Sequence, residues 1–122
     1  MISGHDIPLT YVHHRTQREA DALVAEALED PRFTPRPDMR ASDNVLRIAL
    51  GMWFVGGSLN FPRGWVRSVM VACRAAGAPH PNPKCIRWYR SKLRDAPHYF
   101  STMPNVDGDL LAEMALDLDL DA

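Results

Sequence analysis

The chain is poor in cysteine, with two among 122 residues and no Cys-x2-Cys pair. That excludes a disulfide scaffold and removes the usual signature of a structural zinc site, so a reduced setting is expected. Long apolar runs are also missing. The longest, residues 48–55, is interrupted by Gly51 and falls far short of the ~20 residues a membrane span needs. The opening MISGHDIPLT lacks a basic stretch followed by a long apolar one, so a cytoplasmic protein without a secretory signal is expected. Glycines are few, and Gly51, Gly56, Gly57 and Gly64 match neither a Walker loop nor a dinucleotide fingerprint. Ser58 follows Gly56-Gly57, but no His base or orienting carboxylate lies close to it in sequence. The expectation is a protein without catalytic activity and without a cofactor.

Lysine and arginine are absent between residues 96 and 122. This lack exposes a partition that the net charge of −1 conceals. Residues 63–95 carry eight basic side chains against Asp95 alone, a local balance of +7. Residues 96–122 carry six acids and a balance of −6. Arginine outnumbers lysine twelve to two, which favours planar, bidentate contact with phosphate or carboxylate. Apolar residues make up 46% and charged residues 24%, the balance of an ordinary globule. A chain of this length buries roughly 65–70% of its unfolded surface, enough for one core. A single domain spanning residues 1–122 is expected.

Periodicity places helices and little else. Residues 1–15 read as an irregular lead-in. Thr16-Gln-Arg-Glu is a capping-box pattern, and Ala20, Leu23, Val24, Ala27 and Leu28 then recur at helical spacing, predicting a helix over 17–29 that Asp30-Pro31 stops. Ser42 or Asp43 is the expected cap of a second helix running to Val55, apolar nearly all round with Arg47 as its one wet position. Such a helix belongs in the middle of a fold. Gly56-Gly57 ends it. Asn60 is the expected cap of a third helix over 62–76, and Gly77 its stop. Asn82 caps a fourth, with Pro83 at its first position, running to Asp95 before Pro97. Within the acidic segment 105–122, residues 107–118 predict an amphipathic helix with Leu110, Leu111 and Met114 inward and a frayed end beyond Asp117. The fold class is therefore all-α, a bundle of four to five helices.

The basic helix pair at 62–95 is the candidate functional region. On the fourth helix Ile86, Tyr89 and Leu93 face inward, while Lys84, Arg87, Ser91 and Arg94 line the other side at spacings of three and four. Over about 35 residues the pair resembles the broad helix-turn-helix class of DNA readers, although its proline-rich connection, GAPHPNP, is longer than that class's usual turn. The resemblance implies that Lys84, Arg87 and Ser91 read base edges in a major groove. It implies that Arg63, Arg67, Arg74, Arg87, Arg90 and Arg94 hold phosphates. Trp53 and Trp65 fall on apolar stripes and belong to the core. Trp88 lies between the inner and basic faces, where it could pack beneath the arginines, stack on a base or anchor a partner. Cys73, His80, Cys85 and His98 lack the close pairing of zinc ligands, and no metal site is expected.

The expected function is a small DNA-binding (or RNA-binding) transcription regulator of phage-like type, acting as a homodimer on palindromic sites. The alternative is a small helical protein–protein interaction module, such as a phage-type inhibitor or a ribonucleoprotein subunit, whose opposed charged segments meet complementary surfaces.

Overall fold

The near-continuous apolar segment becomes the central helix of a five-helix arrangement. A computed structural model describes the backbone of residues 6–121 and the side-chain surroundings of residues 16–119. The helices are α1 (Asp6–Ala27), α2 (Ala41–Gly56), α3 (Trp65–Ala75), α4 (Pro83–Asp95) and α5 (Gly108–Asp121). Single 3-10 turns at Pro31–Phe33 and Pro97–Phe100 precede α2 and α5. No strand occurs among the described residues, and the all-α bundle expected from the sequence is the observed architecture.

Helix α2 touches α1, α3, α4 and the first 3-10 turn, and buries every residue from Asp43 to Trp53 except Arg47. A helix apolar on all sides is stable only when covered on several. Gly51 serves this packing. A Cβ there would lie 2.6 Å from Cγ of Phe33, whose fully buried ring needs the space. Helix α2 ends as expected, with Gly57 left-handed at φ 75° and its N–H donating to the Trp53 carbonyl at 2.7 Å.

Arg47 is not the wet position that the pattern predicts. Its Nε, Nη1 and Nη2 donate to the carbonyls of Thr34, Asn105 and Pro31 at 2.9, 3.0 and 2.9 Å. A planar five-donor fork can satisfy carbonyls from three separate loop positions, which is why an arginine stands among hydrophobes. Removal from water lowers its pKa from the ordinary arginine value. Nor do Ser42 and Asp43 cap α2. Arg40 occupies the cap position without a side-chain cap bond, and Asp43 turns inward, fully buried. There it accepts from Arg40 Nη2 at 3.2 Å and from Asn105 Nδ2 at 2.9 Å, the donors a buried carboxylate needs.

The expected irregular lead-in is corrected for residues 6–15, which are helical; residues 1–5 lie outside the described residues. Pro8 falls in the first turn, where its missing N–H costs no intrahelical bond, so α1 starts well before Thr16. Helix α3 starts three residues later than expected. Asn60 does not cap it, because the cap position falls four residues later. Gly64 takes the cap position at φ 93°, and the Gln17 side chain donates to its carbonyl at 3.0 Å. Helix α5 continues to Asp121 rather than fraying beyond Asp117. Leu110, Leu111, Met114 and Ala115 are buried, and Leu118 packs against the same core.

Candidate nucleic-acid interface

The α3–α4 connection is long, yet it is pinned at three points. Gly77, left-handed at φ 66°, donates its N–H to Arg74 O at 3.1 Å, and Ala78 donates to Cys73 O at 2.8 Å. These two bonds and the buried Ala78 form a Schellman stop. Asn44 of α2, fully buried, then donates from Nδ2 to Pro79 O at 2.9 Å. The same side chain accepts from Arg36 N at 2.9 Å and donates to Arg36 O at 3.1 Å, which satisfies the whole amide. Finally Asn82 Oδ1 accepts the Cys85 N–H at 2.9 Å, with Pro83 opening α4 as expected. Stiffness here comes from capping and from Asn44 rather than from brevity.

A groove of about 520 Å³ runs between the two helices, lined by Arg63, Arg67, Met70, Pro83 and Arg87 among others. Lys84, exposed, lies one turn before Arg87 at the same end of α4. Cations elsewhere are answered by carboxylates: Arg32, Arg36 and Arg40 sit 2.7, 3.0 and 3.2 Å from Asp30, Asp38 and Asp43. Arg67, Lys84 and Arg87 form no ion pair with any described residue. Positive charge is concentrated here.

The remaining basic residues separate from this groove. Arg74 donates Nε to His80 Nε2 at 3.1 Å, and His80 Nδ1 donates to Pro81 O at 2.9 Å, the tautomer that leaves Nε2 an acceptor. Arg90 is half-buried over the Trp65 ring, with its Nε buried and unpartnered. Arg94 lies 3.4 Å from Asp95 and lines another pocket with Asp117 and Leu118. Ser91 is half-buried. Trp53 and Trp65 are core residues, as their stripes indicate.

Trp88 is 47% exposed and opens a second cleft, about 700 Å³, on the other side of α4. Tyr99, Lys92 and Arg40 join it there and were not singled out by sequence. Tyr99 stands edge-on to Trp88 at 6.0 Å, and Lys92 Nζ lies 4.6 Å from the Tyr99 ring centroid. Tyr99 sits in a single 3-10 turn after Pro97, where no periodicity marks a face; its only signal is the dipeptide Tyr99-Phe100.

Among the described residues, no group of three or more His, Cys, Asp or Glu is placed to hold a metal ion. Cys73 is fully buried, and burial pushes its thiol up to about 11, while Cys85 is exposed. No helix among the described residues is long and apolar enough to cross a membrane. No protein-family model matches the chain, and no curated protein or solved structure matches it either.

Proposed function

We propose that this chain is a small cytoplasmic nucleic-acid-binding protein, a DNA-binding regulator of helix-turn-helix type that acts by binding without catalysis. The observation that carries the proposal is the meeting of Arg63, Arg67 and Arg87 around one groove, beside Lys84, with Arg67, Lys84 and Arg87 in no ion pair with any described residue. In this reading the amino-terminal half of α4 enters a major groove. Lys84, Arg87 and the edge of Ser91 meet bases, and Arg63, Arg67, Arg74 and Arg87 hold phosphates. Arg90 supports the pair from behind, through Trp65. A dimer on a palindromic site would use α5, with Leu116 64% exposed, because α2 is buried from Val45 to Trp53 except at Arg47.

Mobility shifts on random-sequence duplex between ~50 and 200 mM salt test the proposal. Four phosphate-facing cations give a log–log slope of about −3 to −4. Absence of binding at ~50 mM salt, or binding without a slope, would falsify it. The alternative, a helical interaction module, draws on the exposed pair Trp88 and Tyr99. Stoichiometric recovery of one protein partner from the native host, with no nucleic acid, would favour it.

A further inference from the structure

We infer that the cleft between α4 and the second 3-10 turn holds an unpaired nucleotide segment, its base stacked on Trp88, beside a duplex whose major groove takes the amino-terminal half of α4; this rests on the nucleic-acid reading of α4. Lys84, Trp88 and Lys92 form one row on α4 at spacings of four residues, so each lysine stands about 6 Å along the axis from the indole. Lys92 Nζ lies 5.9 Å from the Trp88 ring and 4.6 Å from the Tyr99 ring. An exposed ring beside an ammonium group is what a single strand requires: a face for the base and charge for the backbone next to it.

Charge complementarity favours that occupant. The cleft is lined by Arg40, by aromatic and hydroxyl side chains and by Met103 and Pro104, with no carboxylate among the described residues that line it. Asp43, the acid paired with the cleft's Arg40, is fully buried and is also held by Asn105. Tyr99, 62% exposed, stands perpendicular to Trp88 and walls the cleft at one end. The next row of α4 carries Arg87, which lines the duplex groove. One helix therefore presents two adjacent surfaces, a cationic face suited to the backbone of a duplex and an aromatic corner suited to a splayed base. The ligand class is a single-strand–duplex junction.

Tryptophan emission reads this site directly, because Trp53 and Trp65 are 9% and 7% exposed whereas Trp88 is 47% exposed. The full chain is titrated at ~50 mM salt with oligo(dT)12, with blunt duplex, and with the same duplex carrying a dT overhang. Saturable quenching by oligo(dT) and tighter binding of the overhang duplex are expected. Trp88→Ala should remove the overhang advantage, about 5- to 100-fold, while leaving blunt-duplex affinity unchanged. Trp88→Phe should retain most of it, and Lys92→Glu, which keeps the rings, should also weaken the overhang. Arg67→Ala should do the reverse, lowering blunt-duplex affinity and sparing the oligo(dT) quench. Equal binding of blunt and overhang duplexes by the unmodified chain overturns the inference and leaves the duplex reading intact. Quenching by oligo(dT) with no duplex binding sinks the duplex reading and leaves the cleft assignment standing. Quenching by a glutamate-rich peptide but not by oligo(dT) assigns the cleft to a protein partner and overturns the inference.

Discussion

The Arg90 guanidinium lies over the Trp65 indole, its central carbon 5.7 Å from the ring centroid, and so joins α4 to α3 by a cation–π contact. The ring gains a cover that a shorter side chain could not supply. Arg90→Ala should therefore lower stability by on the order of 1–2 kcal/mol in urea unfolding. It should leave the salt slope of duplex binding unchanged. Arg67→Ala and Arg87→Ala should each reduce that slope by about 0.9 with little effect on stability. Equal slope changes in all three variants would contradict this division of roles.

Asn44 ties the 36–44 loop and the α3–α4 connection to α2 through three bonds to main-chain atoms. Asn44→Ala strands those groups in a buried site and should cost on the order of 2–4 kcal/mol. Duplex affinity should fall as well, measured well below the melting temperature, because Pro79 is released. A variant with normal affinity would show that capping at Gly77 and Asn82 suffices.

Gly51→Ala places a methyl group against the Phe33 ring, at a computed 2.6 Å from Cγ. Overpacking should cost about 1–3 kcal/mol, read as a lower urea midpoint with an unchanged m-value. Adding Phe33→Leu should recover part of the loss. A neutral Gly51→Ala would show that the ring swings aside freely.

How much of this was legible in the sequence depends on how local each signal is. Helix α4 was readable from Asn82 to Asp95 because both ends carry their own chemistry, a side-chain cap with proline and then a second proline. Helical spacing gives α3 a stripe of Trp65, Val66, Val69, Met70 and Cys73, of which Trp65, Val69 and Cys73 are buried while Val66 and Met70 are only partly so. The first ten residues of α1 were missed because a proline and a polar, histidine-rich stretch hide a helix that lacks an apolar stripe there. Asp43 and Arg47 were misread for a shared reason. Their partners, Asn105 and the carbonyls of Pro31, Thr34 and Asn105, arrive through the tertiary fold and leave no mark on neighbouring residues. The candidate site divides the same way. Spacing grouped the arginines of the pair, but only packing separates Arg87, in the groove, from Arg90 beneath it and Arg94 beyond it.

The two cysteines should react differently. The Cys73 thiol is held near 11 by burial, whereas Cys85 is exposed. At pH 8 the native chain should take one alkyl group, on Cys85, and a second only in denaturant, read by mass spectrometry. The folded pKa lies above the ordinary 9.0, so folding favours the protonated thiol. That contribution is intact below pH 9 and is lost as pH rises from 9 towards 11, where the unfolded chain ionises first. Cys73→Val should flatten that part of the stability profile. Double labelling of the native chain at pH 8 would contradict the assignment.

Helix α5 is structural. Leu111→Ala and Met114→Ala should each cost about 2–5 kcal/mol, and deletion of residues 106–122 should abolish cooperative unfolding. Tighter DNA binding by a folded deletion variant would instead mean that the acidic segment screens the groove.

Because α5 commits its apolar side to the core, its acids cannot swing across the molecule. Asp117 meets the pocket beside Arg94 in the last turn of α4, while Lys84 stands in the first turn, about 15 Å away along the axis. The two charges are therefore held apart as fixed poles, and the molecule carries a permanent dipole despite a net charge of −1. A polyanion exerts a torque on such a body before contact, turning the groove toward it and the acidic pole away. Orientation is then selected during approach, and raising the ionic strength should slow association by removing that alignment as well as by weakening the attraction.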